Sequence, residues 1–326
     1  MKLSPQLAIV IPAYKPDFFE GTLSSIANQS CKDFTLYIGD DASENDLYSI
    51  VKKYESQIPI VYKRFEKNLG EADLVSQWNR CIEMSGDEEW VWLFSDDDIM
   101  DPNCVEEFYK QISNGQHFDL YHFNVKIINE KDQLLKKQIP FPEVLDTKSF
   151  FRKRMSGELN SFIVEYIFNK KTFEKKGRFQ NFDLAWYADD ATWIKIGNSK
   201  GIKSIIGPEV SWRKSGINIS ENNSDKNIAK RKIYANLAFF KWVEEQPEVK
   251  GIDEVQLHQL FHNRFIQQLI NYTHSLNYAE IYKLVVLFHN SFAVQSNLLS
   301  DASIVYFFKT KSRLGSKIRS FTFFSF

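Results

Sequence analysis

Short, almost uninterrupted apolar runs recur through the first hundred residues, each followed by a stretch of mixed polarity. "LAIVIP" from Leu7 predicts a buried strand, and "FTLYIGDD" from Phe34, "IPIVYKRF" from Ile58 and "WVWLF" from Trp90 predict a second, third and fourth strand. Between them, "DFFEGTLSSIANQ", "SENDLYSIVKKYES" and "LGEADLVSQWNRCIEMSG" carry apolar residues at helical spacing behind acidic or capping residues, the last one ending at Gly86. Strand and helix in alternation predict an α/β chain with a parallel, doubly wound sheet covered on both faces. After residue 100 the pattern loosens. "DPNCVEEFYKQISNG" predicts a helix with an early proline, "FDLYHFNVKIIN" a long strand, and the chain to about Ser220 an α+β extension. Beyond Asn222 nearly every segment has helical periodicity. Two regions are therefore expected, 1–220 and 221–326, the second a helical C-terminal region.

Composition narrows the class without naming an activity. Of 326 residues 43% are hydrophobic and 25% charged, as in ordinary globular proteins, and the formal charge of −1 shows no whole-chain signature for nucleic acid. Cys31, Cys81 and Cys104 form no CxxC pair, which argues against a zinc site or disulfide framework. The apolar run before Pro12 is too short for a signal sequence, and no stretch has the length of a membrane span, so a cytoplasmic chain is expected.

Chemistry on a doubly wound sheet belongs at the C-terminal ends of its strands. Those ends carry residues 12–15, Asp40 and Asp41, residues 68–70, and the run Asp96, Asp97 and Asp98. Three adjacent aspartates repel one another unless solvated or gathered around positive charge. Mg2+ and Mn2+ take oxygen ligands, Mg2+ often from one or two carboxylates plus substrate phosphates, and a strand end fixes carboxylate directions for that purpose. The plainer alternative is a solvated loop in which Asp98 or Asp101 caps the next helix. The second acidic pair at a neighbouring strand end favours the functional reading.

With these residues in view, the first 220 residues resemble the family 2 nucleotide-sugar glycosyltransferases of the GT-A fold. "LAIVIPAYKPDFFEGTLSSIANQSCKDFTLYIGDDAS" is similar to their opening, with Ile-Pro-x-Tyr and Asp-Asp-x-Ser at successive strand ends; "NLG" from Asn68, "WLFSDDDIMDP" from Trp92 and "YADDATWIKIG" from Tyr187 match in order. The resemblance implies an inverting transfer of a hexose or N-acetylhexosamine from a nucleotide-sugar donor, a UDP-sugar in the first instance, to a saccharide or lipid-linked acceptor in surface-polysaccharide synthesis.

It also implies roles. Asp41 would meet the base with Asp40 in support, Pro12, Ala13 and Tyr14 would wall the base pocket, and Asn68 and Gly70 would admit the nucleotide. Among the three aspartates Asp96 would touch the ribose and Asp97, with Asp98 sharing, would bind Mg2+ or Mn2+; Ser95 stands where many relatives carry the first Asp. Asp190 would be the base, with Asp189 beside it where the usual pair is Glu-Asp. Arg213, in "SWRKSGINIS", would reach a phosphate, and Ser215 stands where some relatives have a metal-binding histidine. Capping of the helix "DATWIKIG" by the aspartates is the bland alternative for that pair.

Two features lie outside those motifs. His258 and His262, four apart on an expected helix, lack an HExxH pattern and read as surface or interface histidines. The last segment, from Ser303, interleaves Lys309, Lys311, Arg313, Lys317 and Arg319 with aromatics, which fits peripheral contact with an anionic inner leaflet or, alternatively, a terminal helix packed on the protein. Two further function classes remain open at this point: a sugar-nucleotide nucleotidyltransferase, which lacks its Gly-rich phosphate loop here, and a noncatalytic nucleotide-sugar-binding relative.

Overall fold

The four apolar runs become four neighbouring parallel strands in the computed structural model, which describes residues 6–115, 117–197, 200–216, 224–272, 275–294 and 296–314. In chain order the strands are β1 (Leu7–Ala13), β2 (Phe34–Asp40), β3 (Ile60–Arg64), β4 (Trp90–Leu93), β5 (Ile99–Met100), β6 (Leu120–Ile128), β7 (Leu134–Lys137), β8 (Val144–Leu145), β9 (Tyr166–Asn169) and β10 (Ile202–Arg213). The helices are α1 (Phe19–Ala27), α2 (Leu47–Val51), α3 (Leu74–Ile82), α4 (Cys104–Ser113), α5 (Thr147–Ser156), α6 (Lys170–Lys175), α7 (Ala188–Ile196), α8 (Lys226–Glu244), α9 (Glu254–Asn271), α10 (Tyr278–Ser291) and α11 (Leu298–Leu314). The sheet order is β3-β2-β1-β4-β9-β6-β10-β5, with β7 on β6 and β8 on β10. β1 pairs parallel with β2 and β4, and β9 then enters antiparallel, which is where the doubly wound half meets the extension.

Alternation along β1 splits the core. Leu7, Ile9, Ile11 and Ala13 join one buried cluster with α1 and α4, while Ala8 and Val10 join the other. Phe239, Phe240, Phe261, Phe265 and Phe288 of the C-terminal helices belong to that second cluster, so the helical region shares a core with the sheet. The boundary expected near Ser220 falls among residues 217–223, outside the described residues.

Two expectations are amended. The helix across residues 43–56 is realised only as α2, capped by Asp46 through Ser49 N at 3.1 Å; Lys53 N and Tyr54 N then bond three residues back, to Ile50 O and Val51 O, so the chain tightens into turns before Pro59. The segment after Asp98, expected to pass straight into a helix, first forms β5, which pairs antiparallel with β10. That pairing fastens the acidic run from its far side.

Candidate active site

A cavity of about 1040 Å³ opens across the C-terminal ends of β1, β2 and β4. Pro12, Ala13, Tyr14, Asp41, Asn68, Gly70, Asp96, Asp97, Asp98, Asp189 and Asp190 all line it, which brings together residues separated by up to 178 positions in the chain. Asp40 and Arg213 are not among its lining.

At one end Asp41 is fixed by its neighbours. Its Oδ1 accepts from Leu69 N and its Oδ2 from Gly70 N, each at 2.8 Å, and the Arg80 guanidinium pairs with Oδ1. A Cβ on Gly70 would lie 2.7 Å from Asp41 Oδ2, so glycine is required for the backbone amide to reach that oxygen. Asp40, fully buried, instead accepts from Ser43 N at 2.8 Å and from the Tyr62 hydroxyl at 2.5 Å, holding the β2 turn. Tyr14 leaves 43% of its surface open while its backbone N–H is anchored, so its ring is a cavity wall and not a core element.

The aspartate run is a junction. Asp96 Oδ2 accepts from the backbone N–H groups of Tyr14 and Lys15, both at 2.8 Å, tying the end of β4 to the end of β1. Burial and the charge of Asp97 push its carboxyl up to about 6. Asp98 Oδ1 accepts from Arg213 N at 2.6 Å, and burial raises that carboxyl well above its usual range. Arg213 is buried beneath the run: its Nε donates to Asp97 O at 2.7 Å, its Nη1 to Asn129 O at 2.9 Å, and its Nη2 pairs with Asp132. Its guanidinium thus braces the loop that carries the aspartates.

The donors here suit a hard divalent cation. Asp98 Oδ2 is buried with no hydrogen-bond partner among the described residues, and Asp97 Oδ2 meets Ser215 Oγ only at 3.5 Å. Among the described residues no group of three or more His, Cys, Asp or Glu side chains converges as a complete ligand set. One or two carboxylates with the remaining positions left to phosphate and water is the usual manner of holding Mg2+.

The far end of the cavity is built by a strained loop. Leu184, Ala185 and Tyr187 all have positive φ (59°, 53° and 66°), at about 1 kcal/mol or more each for residues with a Cβ. The C-terminal helices hold that conformation. Arg231 on α8 pairs with Asp183 through two bonds, of 2.9 and 2.6 Å; Tyr187 Oη accepts from Arg264 Nε at 2.9 Å and Gln268 Nε2 at 2.8 Å on α9; the Tyr187 ring stacks on Phe239 at 4.5 Å. Immediately after, α7 presents Asp189 and Asp190 in its first turn, where the helix dipole favours negative charge.

The two carboxylates have different surroundings. Arg154 grips Asp190 through Nε–Oδ1 at 2.6 Å and Nη2–Oδ2 at 2.8 Å, and both partners are buried. Asp189 has no such clamp, and burial together with the adjacent Asp190 charge raises it to about 7. Arg154, Arg231 and Arg264 also line the cavity, and the local sequence carries no signal for them. None sits in a motif, and only the packing of α5, α8 and α9 brings them to the cavity. The histidines are structural: His258 contacts Glu244 and Ala293 O, and His262 shares Asp301 with His289.

Sheet order, the cavity at the strand ends and the carboxylates clustered there agree with a GT-A type α/β fold. Solved structures agree on the fold. A TarS fragment from S. aureus in complex with UDP-GlcNAc superposes with TM-score 0.62 at 14% identity, covering 96% of this chain and 93% of that one. The mannosyltransferase PcManGT from Pyrobaculum calidifontis, in complex with GDP-Man and Mn2+, gives TM-score 0.53 at 12% identity over 97% and 82% of the two chains. Residues 8–175 match the Glycosyl transferase family 2 profile, just over half of the chain, and the protein belongs to that family. Its sequence is 26% identical over 189 residues to an uncharacterized glycosyltransferase of Methanocaldococcus jannaschii (55% of this chain, 63% of the relative). It is 23% identical over 202 residues to a GalNAc(5)-diNAcBac-PP-undecaprenol beta-1,3-glucosyltransferase of Campylobacter jejuni (60% and 61%). The match thus spans about three fifths of the length of each of these curated relatives.

Proposed function

We propose that this protein is an inverting glycosyltransferase that moves a hexose or N-acetylhexosamine from a nucleoside-diphosphate sugar, a UDP-sugar in the first instance, to a hydroxyl of a saccharide or lipid-linked acceptor in cell-surface polysaccharide synthesis. The observation that carries this reading is the single cavity shared by Asp41, the Asp96, Asp97 and Asp98 run, and the Asp189 and Asp190 pair. One end has a fixed carboxylate for a base N–H, the middle has oxygen donors suited to a metal beside a diphosphate, and the other end has a proton acceptor.

In the reaction the acceptor oxygen bonds to the anomeric carbon from the face opposite the leaving group, the bond to the diphosphate breaks, and the acceptor proton goes to a carboxylate. A divalent cation held by Asp97 and Asp98, when bound, would neutralise charge on the departing diphosphate. Both oxygens of Asp190 are taken up by the Arg154 guanidinium, whereas Asp189 has no such clamp and is raised to about 7 by burial and the adjacent Asp190 charge. This arrangement supports Asp189 as the proton acceptor and Asp190 as the clamped group beside it, reversing the roles the resemblance implies. Asp96 remains the ribose candidate and Tyr14, with Pro12 and Ala13, the base wall; Asn68 and Gly70 shape the same entrance.

Contact with an anionic inner leaflet is part of the proposal. No helix among the described residues is long and apolar enough to cross a membrane, while Leu299, Ile304, Tyr306 and Phe307 on α11 are exposed and the sequence after them is basic. The side chains of Lys309, Lys311 and Arg313, and all of Lys317 and Arg319, lie outside the described residues.

Thermal-shift titration with UDP-sugars and GDP-mannose, each with Mn2+ or Mg2+, tests the donor reading, because a ligand of the native state raises the melting temperature. Stabilisation by a UDP-sugar that is lost in Asp41→Ala supports it. Stabilisation by GDP-mannose alone overturns the choice of base, and no response to any nucleotide sugar overturns the donor site.

A further inference from the structure

The end of the cavity opposite the nucleotide residues collects positive charge from three helices. Arg154 of α5, Arg231 of α8 and Arg264 of α9 line it, and Lys232 lies 4.8 Å from the centroid of the Trp186 ring, which lines it too. Two of these cations are answered by carboxylates, Arg154 by Asp190 and Arg231 by Asp183. Arg264 is not: its Nε reaches the neutral Tyr187 hydroxyl at 2.9 Å and its Nη1 the neutral Gln267 Oε1 at 3.0 Å, and no carboxylate pairs with it among the described residues.

A second donor in the same wall is also unanswered. The indole N–H of Trp186 is buried and has no hydrogen-bond partner among the described residues. A buried N–H without an acceptor is costly, and a partly buried guanidinium without a counter-charge is similarly unfavourable, unless a ligand completes both. Tyr187 links the two residues, following Trp186 in the chain and accepting from Arg264 through its hydroxyl.

We propose that Arg264, with the Trp186 indole N–H, forms a subsite for an oxyanion carried by the acceptor, a phosphate ester or a sugar carboxylate. This rests on the transferase reading above and deepens it by naming an acceptor charge. Arg264 is a binding residue here, and its fork geometry matches both anions through paired N–H donors. The strained loop and its clamps acquire a reason: they hold Tyr187 against α9 and Trp186 beside Lys232 of α8, so that the anion's position and the base at Asp189 are set by one short segment.

The test uses the full chain loaded with UDP and Mg2+, so that the donor end is filled, and calorimetric titration with phenyl phosphate, D-glucuronate and, as a neutral control, glucose. The proposal expects one of the two anions to bind more tightly than glucose, which anion identifying the source. It expects Arg264→Gln to weaken that binding roughly tenfold, the loss of one charge-assisted hydrogen bond, with UDP affinity unchanged. Arg264→Lys should recover part of the loss. Trp186→Phe, which keeps the apolar ring and removes the N–H, should weaken the anion independently, so a fold defect in one variant leaves the other decisive. If UDP binds and both variants hold the anion as wild type does, or if UDP loading abolishes anion binding, the subsite is wrong. Failure of UDP itself to bind would bring down the donor reading and this inference with it.

Discussion

Arg154 holds both carboxylate oxygens of Asp190 inside the protein, at 2.6 and 2.8 Å, while the neighbouring Asp189 faces the same cavity without a partner of that kind. One residue's difference in position along α7 therefore separates a carboxylate gripped by a guanidinium from one without such a clamp.

The first expectation concerns activity. Asp189→Asn should lower the transfer rate by on the order of 10²–10⁴-fold, the usual contribution of a general base, with donor affinity retained. Donor binding and turnover measured on the same preparation give the answer; full turnover in Asp189→Asn with loss in Asp190→Asn would return the base to Asp190.

The pH profile follows from the same pair. Asp189 must be ionised to accept a proton, so activity should rise with pH and level off above about 7. Its folded-state carboxyl lies above the unfolded value of 3.8, so the folded protein binds that proton more tightly. The resulting stabilisation is complete below about pH 4 and is lost as pH rises through about 7. Asp189→Asn should therefore gain melting temperature relative to wild type between pH 5 and 8, and differential scanning calorimetry across that range would show no change in the gap if the carboxyl were ordinary.

Removing Arg154 alone leaves a buried, unpaired carboxylate. Arg154→Met should cost roughly 3–5 kcal/mol of stability, and a second change, Asp190→Asn, should restore much of it. Urea unfolding of the two variants measures this; a loss below 1 kcal/mol, at the level of an exposed ion pair, would show that the pair is not buried as described.

At the Asp41 end of the cavity, Gly70→Ala drives a methyl group to within 2.7 Å of Asp41 Oδ2. The Asp41 carboxylate or the 68–70 turn must shift, so UDP affinity should fall by roughly tenfold, the equivalent of one displaced hydrogen bond to a charged group, while global stability changes little. Calorimetric titration with UDP would expose an error if affinity were unchanged.

The α11 surface has its own test. Flotation with anionic liposomes should recover the full chain and lose it after deletion of residues 298–326; equal recovery of both proteins would remove the membrane contact.

Much of this architecture was legible from the chain. The apolar runs at Leu7, Phe34 and Trp90 lower their free energy by burial on both faces and form covered parallel strands, with the acidic residues after them at strand ends, whereas the run at Ile58 forms the edge strand β3, whose residues are half-buried or exposed. The place of Asp41 and Asp97 at one edge of the sheet could be anticipated in that way, whereas Asp189, in the first turn of α7, was indicated only by the resemblance. Other features depended on contacts between distant segments. β5 exists only because β10 pairs with it, and that pairing turns Arg213 away from the cavity to brace Asp97 and Asp98. Arg154 and Arg264 carry no local signal, since an arginine on a helix has the same sequence appearance whether it faces water or a carboxylate. The sequence by itself determined where the parallel strands would run and which carboxylates would follow them; only the tertiary structure decided which carboxylate of the α7 pair is clamped, because that depends on a guanidinium delivered from 36 residues away and electrostatic interaction follows distance in space, not along the chain.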